Sequence, residues 1–268
     1  MTKKKSIILW IMSFVLMAVL VIYQRTTGPT YPKKVKIEIN NAAYKFEMPR
    51  SHPGDGPEVL KLEVKDQSIT GKVTYKRYKS FDNDTTIDMT FEAGFLSASL
   101  PHQPKAGKIQ YTVILSNNGK NYQLTEEPVV IRFRGDVPMW IIVFHLFFMF
   151  FTLTMAFRST FEAMFKGDSL VNMALLTGIC LFIGGMIFGP LMQWYAFDAF
   201  WTGWPFGHDM TDNKTLFGLV IWLIGVWRIK ARPDQRWWMY IAMIGLLATY
   251  LIPHSVLGSE IDHTKIPK

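Results

Sequence analysis

Three histidines carry most of the chemistry that the amino-acid sequence offers: His145, His208 and His254. Imidazole is the commonest transition-metal ligand and the usual axial ligand of a b-type haem. His145 and His254 both fall near the ends of apolar segments; at one depth on facing helices they would suit a bis-histidine haem. His208, His254 and the carboxylate of Asp209 would suit zinc or copper. Asp212, Glu260, Asp262 and His263 are further polar residues for the same region. Structural readings stand beside these. His145 could bond a carbonyl or hydroxyl on a neighbouring helix, His208 could cap a helix with Asp209, and His254 could be an interfacial residue following Pro253. The spacing matches no metal or haem motif.

Aromatic residues crowd the same region. Gln193–Thr215 reads QWYAFDAFWTGWPFGHDMTDNKT and lies between two apolar segments. Trp and Tyr favour the headgroup depth of a bilayer, so a plain interfacial belt is one reading. The density of rings, broken by Gly203, Pro205 and Gly207, favours a folded cap. In that reading Trp194, Trp201, Trp204 and Phe206 form a surface for lipid, quinone or a partner helix. Asp212 would cap the following helix or oppose its positive end.

The elements that must position these residues are legible from hydropathy. Several charge-free runs reach about 20 residues, enough to cross about 30 Å of hydrocarbon. Ser6–Tyr23 follows a basic start and lacks a small-residue cleavage site, so it is expected to remain as an anchor. Met139–Phe157 and Leu170–Leu191 are the second and third spans, joined by a polar connection at Arg158–Asp168. The fourth, Leu216–Ile229, reaches crossing length only if its helix begins near Asp212, with Thr211 as N-cap. Trp237–Ile252 is the fifth. The arginines and lysines of the two short connections, with Lys3, Lys4 and Lys5, belong in the cytoplasm by the positive-inside rule. The aromatic loop and the tail then lie outside.

Between the first two spans the pattern changes. Lys33–Asn40, Glu58–Val64, Ile69–Arg77, Thr86–Phe91, Ile109–Leu115 and Val129–Phe133 alternate apolar and polar residues, the habit of half-buried strands. Asn117-Asn118-Gly119 suits a tight hairpin because Asn and Gly accept positive φ at little cost. Pro32–Asp136 therefore resembles an immunoglobulin-like or fibronectin type III-like sandwich, a resemblance of strand spacing that implies no activity.

The organisation expected is an anchor and linker over 1–31, an extracytoplasmic β-sandwich over 32–136, and a four-span bundle over 137–254. The bundle carries the aromatic loop 193–215, and a polar outer tail covers 255–268. With the anchor, this is a membrane α-helical bundle of five spans, placed in a bacterial inner membrane. The net charge of +8 is spread over soluble and membrane parts, which argues against a nucleic-acid partner. Cys180 is the one cysteine, so no disulfide framework exists within a chain. Phosphate loops, H-E-x-x-H and G-x-S-x-G are missing. The function expected is that of a non-enzymatic accessory or scaffolding subunit of an envelope complex, with lipids and membrane or periplasmic proteins as partners. The alternative is a redox or metal protein with haem or a transition metal at the outer face.

Overall fold

The computed structural model describes residues 2–253 and 260–265. The chain divides into two compact units. One joins Met1–Pro29 to Val137–Gly258, and the other joins Thr30–Asp136 to Ser259–Lys268.

The first unit is helical. Helix α1 covers Lys3–Thr27, α2 Met139–Met164, α3 Leu170–Phe197, α4 Met210–Ala231 and α5 Trp238–Leu251. Three of these, α1, α2 and α3, are long and apolar enough to cross a membrane. Helix α5 is apolar but shorter, at 14 residues. Helix α4 has Asp212 in its first turn and Arg228 and Lys230 in its last, which lowers its hydropathy. Two boundaries differ from the sequence reading. Helix α2 runs on through Arg158 and Glu162 to Met164 because those charges pair with each other, one turn apart, and need no loop. Helix α3 continues to Phe197, so the first aromatics of the stretch are helical and only 198–209 is irregular.

Helix α3 is not uniform. Phe182–Phe188 is π-helical, in the sequence FIGGMIF. Its glycines let neighbours approach closely. A Cβ on Gly185 would sit 2.5 Å from Thr215 Cγ2 of α4, and one on Gly184 would sit 2.9 Å from Phe148 Cβ of α2. Trp222 of α4 is fully buried and donates its indole N–H to Ala174 O at 2.8 Å, locking α4 to α3.

Helix α1 touches the rest of its unit along a narrow stripe, burying Leu9, Ser13 and Met17. Polar bonds hold both ends. Ser6 Oγ accepts from Arg158 Nη2 at 3.2 Å, and Gln24 Nε2 donates to Tyr250 O at 2.6 Å.

The second unit is mostly β. Its eleven strands among the described residues are β1 Lys33–Ile39, β2 Ala42–Met48, β3 Ser51–Pro53, β4 Glu58–Glu63, β5 Thr70–Arg77, β6 Thr85–Asp88, β7 Thr90–Glu92, β8 Phe95–Leu100, β9 Lys108–Asn117, β10 Lys120–Gln123 and β11 Val129–Arg134. They form a two-stranded sheet β1-β2, a six-stranded sheet β3-β11-β9-β5-β6 with β10 on β9, and a three-stranded sheet β4-β8-β7. All pairings are antiparallel except β3 with β11. The alternation of KIQYTVILSN places Ile109, Tyr111, Val113, Leu115 and Asn117 of β9 inward. Ile109, Tyr111, Val113 and Leu115 join Phe46, Leu60, Leu96, Ile131 and others in one apolar core shared by all three sheets. The β9–β10 turn has Asn118 at φ 49° and Gly119 at φ 78°, the left-handed pair of a tight hairpin. Asn40 and Asn41, at φ 49° and 59°, do the same for β1–β2. Buried Asn117 ties these turns together: its Nδ2 donates to Ser68 Oγ at 2.7 Å and its Oδ1 accepts from Asn40 Nδ2 at 2.5 Å.

The tail belongs to this unit as well. Glu260 accepts from Lys108 Nζ at 2.5 Å and also from Lys79 Nζ.

Candidate functional site

Two helix ends and the segment between them make the strongest candidate. Helix α3 closes at Asp198, whose left-handed backbone (φ 57°) lets its N–H donate to Trp194 O at 2.8 Å. Helix α4 opens on Asp209, whose carboxylate accepts from Thr211 N at 2.8 Å. Asp209, not Thr211, is therefore the N-cap: its side chain reaches the second N–H of the helix and satisfies an orphan donor.

The segment 198–209 is folded around Asp212. That carboxylate is only 5 % exposed, and its Oδ2 accepts from Thr202 N at 2.7 Å and Gly203 N at 3.0 Å. Asn213 Oδ1 takes the next donor, Trp204 N, at 2.6 Å. Gly203 N–H thus approaches the helix closely, and a Cβ there would lie 2.6 Å from Asp212 Cβ. Gln193 Nε2 donates to Thr202 Oγ1 at 2.7 Å and ties the segment back to α3. Three successive backbone N–H groups are therefore held by two side chains of the first turn of α4. Such a segment is an ordered element rather than a slack connection.

Its aromatic residues are displayed, not sunk. Phe206 is 85 % exposed and Trp204 65 %. Trp201 is half-buried and donates its indole N–H to Trp204 O at 3.0 Å. Trp194 stacks on Phe200 with ring centroids 4.4 Å apart.

Lys214 lies in the next turn of α4 and is buried. Its ammonium donates to Ile252 O, at the C-terminal end of α5, where unsatisfied carbonyls favour a cation. Lys214 also lines a cavity of about 30 Å³ with Met149, Leu181, Thr215, Thr249 and Tyr250, room for a water or two.

The histidines fall at separate places. His145 Nδ1 lies 2.9 Å from Gly184 O inside the π-helical stretch. A carbonyl only accepts, so Nδ1 is the donor, and Nε2 carries the lone pair of the neutral ring. His208 is exposed on the irregular segment, and the carboxylate of Asp209 beside it is engaged in capping. His254 lies outside the described residues. Among the described residues, no three His, Cys, Asp or Glu side chains gather to hold a metal ion.

Two polar clusters had no forecast in the sequence. Arg158 and Glu162 pair at 2.6 Å while only 1 % and 2 % exposed. The Arg158 guanidinium lies 5.5 Å from the Trp10 ring centroid, and Arg236 Nη1 donates to Gly167 O at 2.8 Å beside it. Arg158 Nε and Nη1 and Glu162 Oε2 have no hydrogen-bond partner among the described residues. The i, i+4 spacing was visible, but nothing local says that α1 covers it. In the β unit, His52 Nδ1 meets Glu58 Oε2 at 2.5 Å, against the Phe133 ring.

Compared with known proteins, the chain matches no family model, no curated protein and no solved structure.

Proposed function

We propose that the chain is a non-enzymatic integral-membrane accessory or scaffolding subunit, presenting the aromatic cap and the β unit to partner proteins of a cell envelope. The observation that carries this is the contrast at the cap between a pinned backbone and displayed rings. Asp212 and Asn213 fix Thr202, Gly203 and Trp204, while Trp204 and Phe206 project into the surroundings. Aromatic side chains carried on a pre-ordered backbone leave less entropy to lose on docking, and aromatic residues commonly anchor interfaces.

All five helices cross the membrane in this reading. The tail supports it. Glu260 holds to the β unit, so the chain leaving at Asp136 and returning at Glu260 crosses an even number of times. Helices α2 to α5 supply four crossings. Basic residues support the orientation. Lys5 lies 3.7 Å over the Phe165 ring, Ser6 meets Arg158, and Arg236 bonds Gly167. The N-terminus and the two basic connections thus share one end of the helical unit, the cytoplasmic end by the positive-inside rule. The β unit, the cap and the tail are then periplasmic in a bacterial inner membrane. The shared core of mostly antiparallel sheets supports an immunoglobulin-like or fibronectin type III-like sandwich.

A second reading keeps one specific support. The bond from His145 Nδ1 to Gly184 O presents Nε2 as the lone-pair nitrogen, the form that a haem or metal ligand takes. Protein purified in mild detergent separates the two. The accessory reading expects colourless, metal-free protein that co-purifies with a membrane partner. That association is lost in Trp204→Ser/Phe206→Ser and kept in His145→Ala. A Soret band or stoichiometric metal that disappears in His145→Ala would overturn it.

A further inference from the structure

We infer that the corner of the β unit formed by Tyr78, Lys79 and Lys108 is a docking site for an acidic peptide of a partner protein, and that the chain's own tail occupies it in cis. The inference rests on the accessory reading and names the chemistry of one partner surface.

The backbone of the corner is fastened by a bond that does not involve the tail. Tyr78 follows β5, and its N–H donates to Lys108 O at 2.9 Å, which fastens the turn to the first residue of β9. Lys79 adopts a left-handed backbone at φ 50°, which turns its side chain back toward Tyr78. Both ammonium groups lie over the Tyr78 ring, at 5.8 Å for Lys79 and 5.5 Å for Lys108. Two cations are thus gathered about one aromatic ring, an arrangement whose mutual repulsion an anion between them relieves.

Glu260 is that anion. One carboxylate oxygen takes Lys108 and the other takes Lys79. Partial burial pushes the Glu260 carboxyl up, but the bonds from Lys108 and Lys79 outweigh burial and hold it below the usual glutamate range. Three residues on, His263 Nδ1 lies 3.5 Å from Arg77 Nη1, whose guanidinium also holds Asp82. Phe81, 76 % exposed, stands nearby in sequence.

The grip on the tail is made of side chains. The backbone hydrogen bond within the described tail, Lys265 N to Asp262 O, is internal to it and pairs with no strand. Ion pairs at a partly exposed corner exchange readily, and a neighbouring chain with a similar Glu-Ile-Asp sequence can compete. The cis tail then acts as a low-affinity guard that a stronger acidic segment displaces.

The test uses the full-length chain in mild detergent and a fluorescent synthetic peptide, GSEIDHTK, copied from 258–265. Fluorescence anisotropy should show at least tenfold tighter binding to Glu260→Ala than to the native chain. Adding Lys79→Ala and Lys108→Ala should abolish that gain, as should Gln for Glu in the peptide, with unchanged circular dichroism. Failure of Glu260→Ala to bind the peptide, or binding indifferent to both lysines, overturns the inference. Neither result touches the Trp204/Phe206 association, so the accessory reading stands or falls separately.

Discussion

Two carboxylates of the helical unit have opposite surroundings. Asp212 is buried at the start of α4 and accepts from backbone N–H groups of Thr202 and Gly203. Glu162 is buried near the end of α2, bonded to Arg158 through one oxygen, while the other finds no partner among the described residues. The first uses its charge to order a segment that would otherwise be loose. The second neutralises a neighbour and leaves polar atoms unsatisfied. Satisfied backbone donors make a rigid display platform, whereas an incompletely bonded ion pair is a weak source of stability.

The sharpest way to break this contrast is at the ion pair. Glu162→Ala strands the Arg158 guanidinium and should cost about 3–5 kcal/mol. Arg158→Met/Glu162→Leu removes both charges together and should cost far less, or stabilise. Denaturant or thermal unfolding in detergent measures both; equal losses in the two variants would place Arg158–Glu162 in the same class as Asp212. At the cap the effect is smaller. Asp212→Ala orphans two backbone donors and should cost about 1–3 kcal/mol, while Asp212→Asn, which keeps an acceptor, should cost less. Hydrogen exchange at Thr202 and Gly203 is the direct readout, and unchanged protection in Asp212→Ala would show that other bonds order the segment.

The smallest effect sharpens the comparison with an exposed pair. Arg77 bonds both oxygens of Asp82, at 2.6 and 2.7 Å, and so holds its carboxyl down at about 2. A depressed carboxyl stabilises the fold above the ordinary aspartate value of 3.8 and loses that contribution as pH falls toward about 2. Arg77→Ala should therefore cost under about 1 kcal/mol near neutrality and nothing at the acid limit, because solvent screens the pair. Unfolding midpoints of the β unit across that window test it.

Legibility in the sequence follows the range of the interaction. Hydropathy marks every helix of the unit, because burial in lipid or protein is written residue by residue. The Asn118-Gly119 hairpin is equally plain. Strand β2 was open to reading as well: Tyr44, Phe46 and Met48 alternate with Lys45 and Glu47 after an Asn-Asn turn, the same habit as in β1, and it was passed over. The charge of Arg158 and Glu162 suggested a connection, whereas the fold buries both and sets Arg158 against Trp10 of a helix more than a hundred residues earlier in the chain. Asp212 was placed at the start of its helix, but its partners were hidden for a different reason. Its partners are main-chain N–H groups, which every residue but proline carries, so no side-chain type announces them. The lysine clamp on Glu260 joins the turn after β5, the start of β9 and the tail, and only the fold brings those three together.

The wide turn at Phe182–Phe188 has a consequence for the rings beyond it. Hydrogen bonds there reach one residue further than in the α-helix, as Gly189 N does to Gly184 O. The path of α3 takes up an additional residue there, so angular phase slips between Leu181 and Gly189. A helical wheel drawn from Leu170 assigns the wrong azimuth to Trp194 and Tyr195, and grafting this segment onto a regular helix would aim both indole and phenol at the wrong neighbours.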